Sequence, residues 1–116
     1  MTHNGLFTEA LDFYTQMRQS KVEPDRYTFP SVVNACGSLM DLEMGCGVHE
    51  HVLKVGFESD LYINNVQIDM YSRCNVLGRA QKVFKEMPQR DLVTWKSLIS
   101  GYSSNGYLLE ALKIYY

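Results

Sequence analysis

The sequence repeats itself at long range. Asn4-Gly5-x-x-x-Glu9-Ala10-Leu11-x-x-Tyr14 returns as Asn105-Gly106-x-x-x-Glu110-Ala111-Leu112-x-x-Tyr115, at an offset of 101 residues with six of eleven aligned positions identical. Two weaker copies lie between them. Repetition on this scale implies units that cannot bury their apolar faces alone and must stack. Function then falls on the surface that stacking builds, not in a single cleft.

Turn-forming clusters set the period. Val22-Glu23-Pro24-Asp25, Gly56-Phe57-Glu58-Ser59-Asp60 and Met87-Pro88-Gln89-Arg90-Asp91 close successive units, and their terminal aspartates are 35 and then 31 residues apart. One further unit of 35 residues completes the offset of 101. Within the units, apolar residues recur at three- and four-residue spacing, which predicts helices over 6–19, 28–39, 41–55, 62–74, 77–87, 94–103 and 107–116. The joints carry helix-stop chemistry. Gly5, Gly106 and Asn75 suit the left-handed backbone just past a helix end. Met40 holds the same slot, where that backbone costs it roughly 1 kcal/mol, so its hairpin is expected to be looser or differently turned. Pro30 fits the first turn of a helix, where its missing N–H removes a donor already unpaired. The expected fold is all-α, a solenoid of helix-turn-helix repeats.

Composition narrows the function. No apolar run approaches the length of a membrane span. Cys36, Cys46 and Cys74 are odd in number and lack paired spacing, which predicts reduced, mostly buried thiols in an intracellular protein rather than metal or disulfide sites. The formal net charge of −2 weighs mildly against nucleic-acid binding through phosphates alone. No signal- or transit-peptide pattern opens the sequence. The register instead sets Met1 at a helix position and Tyr116 within a helix, so the chain is expected to begin and end inside units.

The 35/31 alternation and the residues it aligns resemble the pentatricopeptide repeat family, specifically the plant subclass that mixes standard, long and short repeats. Residues 1–25 resemble the second half of a standard repeat. Residues 26–60 resemble a long repeat, marked by Phe29, Ala35-Cys36, Gly45, Val48-His49 and Lys54-x-Gly56-Phe57-Glu58-Ser59-Asp60. Residues 61–91 resemble a short repeat, marked by Asn65, Ile68-Asp69-Met70-Tyr71, Cys74, Ala80, Val83-Phe84 and Met87-Pro88-x-Arg90-Asp91. Residues 92–116 resemble a truncated standard repeat, marked by Trp95, Leu98-Ile99-Ser100-Gly101-Tyr102, Asn105-Gly106 and Glu110-Ala111-Leu112.

The resemblance implies single-stranded RNA binding at about one base per repeat, each base read by two or three side chains. It implies a mitochondrial or chloroplast setting and a role in transcript processing, above all specificity for cytidine-to-uridine editing. In the family the fifth residue of a repeat bonds the base edge, the last supports it, and the second packs on the base face. Carried over, the short repeat reads with Asn65 and Asp91 and packs with Tyr62, a pair that implies a preference for uracil. The long repeat has Pro30, Asp60 and Tyr27; proline has no side-chain hydrogen bond to offer, so little base selection is expected. Asp25 ends a repeat whose first helix is missing. The last repeat has Lys96, a donor only, where the family has asparagine, with Val93 keeping the packing role.

The residues also have plainer readings. Without the resemblance, Tyr27 and Tyr62 read as half-buried helix tyrosines; with it, they become stacking platforms. Trp95, Tyr71 and Tyr102 follow the apolar periodicity and are expected in the core. Arg79, Lys82 and Lys85 form a stripe on a second helix, expected to be a solvated face rather than an RNA contact. His49 and His51, two apart on a helix, point some 200° apart and cannot share a metal ion. A zinc deaminase would need a Pro-Cys-x-x-Cys partner motif, which is absent. No enzyme activity, metal or cofactor is expected; chemistry would come from editing-complex proteins as partners. Gln67 in an apolar pattern and Gly47 inside a helix are expected to weaken the fold. The helix of Leu11 and Tyr14 is expected to lack its hairpin partner, and uncapped ends invite self-association. Two other readings fit a helical array: a protein-interaction scaffold like the tetratricopeptide arrays, whose strict 34-residue period this spacing does not match, and a degenerate truncated product without autonomous function.

Overall fold

The periodic segments form helices. The computed structural model describes residues 3–106, and in them six helices follow one another: α1 (His3–Gln19), α2 (Thr28–Ser38), α3 (Leu42–Val55), α4 (Leu61–Arg73), α5 (Leu77–Glu86) and α6 (Leu92–Ser104). The helix expected over 107–116, with Glu110-Ala111-Leu112, lies outside the described residues. The protein is an all-α solenoid of helical hairpins.

Each hairpin turns by the same local chemistry. At Met40 (φ 54°) and Asn75 (φ 61°) the backbone is left-handed. The N–H of the next residue reaches back five positions, Asp41 to the Cys36 carbonyl and Val76 to the Tyr71 carbonyl, both at 2.9 Å. Lys21 (φ 58°) ends α1 in the same way, with Val22 bonded to the Met17 carbonyl at 2.9 Å. The Met40 turn is therefore not the looser one expected. Asp41 fixes it from both sides, because its carboxylate also accepts the Met44 N–H at 3.1 Å and starts α3. Gly106 takes the left-handed backbone as expected (φ 84°). Gly5 does not stop a helix; it lies within α1. A reversal there needs a preceding helix packed against α1, and the described residues contain none.

The first helices form the spine: α2 packs on α4, and α4 on α6. Gly37 and Gly101 set their approach. A Cβ on Gly37 would lie 3.1 Å from the Met70 Cα, and one on Gly101 would lie 2.7 Å from the Ser72 Cβ. The second helices α3 and α5 do not approach each other in the same way. Phe29, Val33, Val48, Val52, Ile63, Ile68, Met70, Tyr71 and Leu98 fill one continuous core along the spine.

No hairpin partner for α1 lies among the described residues, yet Leu11 and Tyr14 are covered by the next unit. They are buried, because α1 lies against α2 and the Tyr14 hydroxyl meets His51 Nδ1 of α3 at 2.8 Å. His51 Nε2–H in turn donates to Glu23 at 2.7 Å. The open face of α1 is instead that of Leu6 and Phe13. Trp95 is not in the core either. It is 37% exposed and meets the edge of Phe84 at 4.8 Å, since Thr94 and Leu98 take the inward face of α6. Arg90 covers the other side of Phe84 at 4.4 Å and donates to the Phe84 and Lys85 carbonyls, closing the end of α5. Tyr71 and Tyr102 are buried as expected.

Gly47 lies inside α3 with nothing within 4 Å of where a Cβ would stand. Gly47→Ala is expected to raise stability by about 0.8–1.0 kcal/mol through helix propensity alone. Urea unfolding followed by circular dichroism measures this, and a loss of stability would contradict the packing described.

Candidate nucleic-acid interface

The exposed edges of α2, α4 and α6 enclose a cleft of about 390 Å³. Its walls include Pro30 from α2, Tyr62 and Asn65 from α4, and Val93 from α6. Four of the side chains picked out by sequence thus share one cavity. Tyr62 is 63% exposed, so it is not the half-buried helix tyrosine that periodicity alone suggests, and Val93 is 53% exposed. They stand one repeat apart on successive first helices, with Asn65 between them in sequence and in the cleft. Pro30 sits buried in the first turn of α2 and presents no polar atom to the cavity.

Asn65 is only 5% exposed and its amide is held from behind. Its Nδ2 donates to Asp91 Oδ1 at 3.1 Å, and its Oδ1 accepts the Thr94 hydroxyl. Asp91 Oδ1 also accepts the Thr94 N–H at 3.0 Å, while the Asp91 N–H donates to the Thr94 hydroxyl at 3.1 Å, a reciprocal cap on α6. The Thr94 backbone N–H, with the Asn65 amide beside it, holds the Asp91 carboxyl below the usual carboxylate range.

The other residues proposed for reading do not line this cleft. Asp60 caps α4 through the Ile63 N–H at 3.0 Å and pairs with Arg26 at 3.3 Å. Asp25 accepts the Thr28 N–H at 2.8 Å and the Tyr27 N–H at 3.0 Å, and the Thr28 bonds, chiefly the backbone one, hold its carboxyl low. Tyr27 is 74% exposed and lies under the Arg26 guanidinium at 5.7 Å. Lys96 is exposed on α6. Asp60 and Asp91 therefore cap the following helices, while Asp25 ties down the turn that leads into α2. That role was legible as an aspartate immediately before an apolar-periodic segment. Ser31, Asn34, Asp69 and Ser97 also line the cleft. Asp69 belongs to the marks of the short repeat, while Ser31, Asn34 and Ser97 carry no sequence signal beyond helical position.

No lysine or arginine lines the cleft. Arg73 pairs with the cleft residue Asp69 at 3.0 Å, and Arg26 pairs with Asp60. Arg79 and Lys82 border a different, smaller cavity with His49 and Tyr71. His49 Nδ1 meets the Tyr71 hydroxyl at 2.6 Å, and burial pushes its pKa down. Each histidine is thus bound to a tyrosine of a different helix, and no group of metal ligands forms among the described residues. The cysteines are free, with Cys36 buried and its thiol pushed up to about 12 by burial. The cleft offers apolar faces and a fixed amide edge rather than positive charge.

Serial helical hairpins with one shared first-helix cleft define a helical-repeat protein of the α-solenoid class. The family model described as PPR repeat matches residues 1–22, 68–92 and 93–116, and the chain belongs to the pentatricopeptide repeat family. A pentatricopeptide repeat-containing protein of Arabidopsis thaliana is 63% identical over 113 residues, covering 97% of this chain and 13% of that protein. A chloroplastic member from the same plant is 39% identical over 96% of this chain and 21% of its own length. A mitochondrial member is 40% identical over 99% of this chain and 25% of its own length. The chain thus spans a quarter or less of these relatives.

Proposed function

We propose that this chain binds single-stranded RNA through the first-helix cleft, as part of an organellar RNA-processing protein of the mixed long-and-short repeat subclass. The repeats run over 26–60 and 61–91, flanked by the partial units 1–25 and 92–116. The observation that carries the reading is the position of Asn65 in a cleft between Tyr62 and Val93, with its amide tied to Asp91. A base entering there would stack on the tyrosine and meet the amide edge. Stacking on an aromatic is worth about 1–3 kcal/mol per base. Phosphate neutralisation adds little here, because no lysine or arginine lines the cleft.

Asn65 and Asp91 together favour uracil at one position, and Pro30 leaves the preceding position weakly selective. The names of relatives as chloroplastic or mitochondrial support an organellar setting. Specificity for cytidine-to-uridine editing is the role we assign, with editing-complex proteins supplying the chemistry. We further assign to the exposed Leu6 and Phe13 face of α1 a contact between copies of this chain. Among the described residues no helix is long and apolar enough to cross a membrane.

Fluorescence anisotropy with short labelled RNAs tests the reading. Asn65→Ala is expected to cost about 0.5–1.5 kcal/mol at a single uridine and to leave other positions unchanged. A uniform loss across all sequences, or no RNA affinity in the folded chain, would refute the readout.

A further inference from the structure

An asparagine amide by itself cannot tell uracil from cytosine. Its carbonyl can accept the uracil N3–H while its NH₂ donates to a uracil carbonyl. Rotated by half a turn, the same side chain donates to cytosine N3 and accepts from the cytosine amino group. Selectivity at Asn65 therefore requires something that prevents the amide from turning over.

We infer that Thr94 is that positioning residue, setting which way the Asn65 amide faces and hence which pyrimidine it reads. The inference rests on the base-reading role proposed for Asn65. Thr94 is fully buried, so it cannot itself touch a ligand in the cleft. Its hydroxyl accepts the Asp91 N–H at 3.1 Å, and it has one proton of its own to give. Two acceptors are in reach, Asn65 Oδ1 and Asp91 Oδ1, the latter at 2.9 Å and already taken up by the Thr94 N–H at 3.0 Å and by Asn65 Nδ2 at 3.1 Å. The proton therefore goes to Asn65. On the other side, the Asp91 carboxylate offers only acceptors, so it must face the amide NH₂. The hydroxyl and the carboxylate impose the same orientation. Turning the amide over would set its carbonyl against the carboxylate and orphan a buried polar atom. One Nδ2–H and one Oδ1 lone pair then remain for the base, in a fixed order. Thr94 belongs to the unit after the one that contains Asn65, so the orientation is set from across the repeat boundary.

The test uses the chain with labelled oligouridylate and the same oligomer carrying one cytidine scanned along it. The wild type is expected to prefer uridine by about two- to tenfold at one position. Thr94→Val removes the hydroxyl at nearly constant shape and leaves the carboxylate as the one remaining restraint, so it is expected to lower that ratio by about twofold or more while affinity for the remaining bases is kept. Thr94→Ser restores the hydroxyl and should restore the ratio. If Thr94→Val keeps the ratio, or Thr94→Ser loses it, the positioning role is overturned and base reading by Asn65 stands. If the wild type shows no ratio at any position, both fall. Amide exchange by NMR on the unmodified chain covers the case in which Thr94→Val does not fold. One Asn65 side-chain proton should be protected, and exchange of both at the rate of a free amide would overturn the proposal.

Discussion

Phe29→Ala is expected to destabilise the fold by about 3–5 kcal/mol, the cost of removing a large buried aromatic from a site that cannot collapse around the void. Phe29 has no exposed surface. It meets the His51 ring edge-on at 5.2 Å and Phe57 at 5.9 Å, so it joins α2 to α3 and to the turn that follows. His51 also carries the hydrogen bond to Tyr14, the side-chain link between α1 and α3. The substitution therefore weakens two interfaces at once. In a repeat array stability is nearly a sum of neighbour terms, so the loss should appear first in α1–α3 while α4–α6 retain structure. Thermal melting followed by circular dichroism gives the size of the effect, and hydrogen exchange gives its location. A loss below about 1 kcal/mol, far under what a buried aromatic normally costs, would show that Phe29 is not the joint described.

Gln67→Met is expected to act in the opposite direction. Gln67 is 1% exposed within α4, and its Nε2 has no hydrogen-bond partner. A buried donor left without an acceptor costs about 1–3 kcal/mol. Methionine keeps the unbranched stem and similar length while removing the amide, so a stabilisation of comparable size should follow. Domains of this kind have total stabilities of about 5–15 kcal/mol, which makes the change large enough to resolve by chemical unfolding. A destabilised Gln67→Met protein would mean that the amide is satisfied and that its retention is structural.

Helices and turns were legible because their causes are local. The three- and four-residue spacing of Phe29, Val32, Val33 and Cys36 needs only that segment to specify a helix and its buried face. Asn75 and Gly106 specify left-handed turns by their own backbone preferences, and even Met40 took that backbone once Asp41 anchored the next helix. The apolar spacing placed Tyr71 and Tyr102 in the core. It misplaced Trp95, because periodicity identifies a broad stripe and only the packed neighbours decide which edge of it is covered. No hairpin partner of α1 lies among the described residues, yet Leu11 and Tyr14 are buried by α2 and by His51, thirty-seven positions along the chain from Tyr14.

By itself the sequence determined that this protein is a stack of helical hairpins, where the hairpins divide, and which first-helix residues deserve attention as a reading set. Those properties follow from nearest-neighbour chemistry repeated along the chain. Tertiary structure decided that Tyr62, Asn65, Val93 and Pro30 share one cleft, that Tyr27, Asp25, Asp60 and Lys96 lie outside it, and that Asp60 and Asp91 serve as helix caps. It also decided how Asn65 is held. Thr94 and Asp91 lie far along the chain from Asn65, and their hydrogen bonds form only once α4 and α6 pack together, since no spacing in the sequence encodes where a buried hydroxyl sends its single proton.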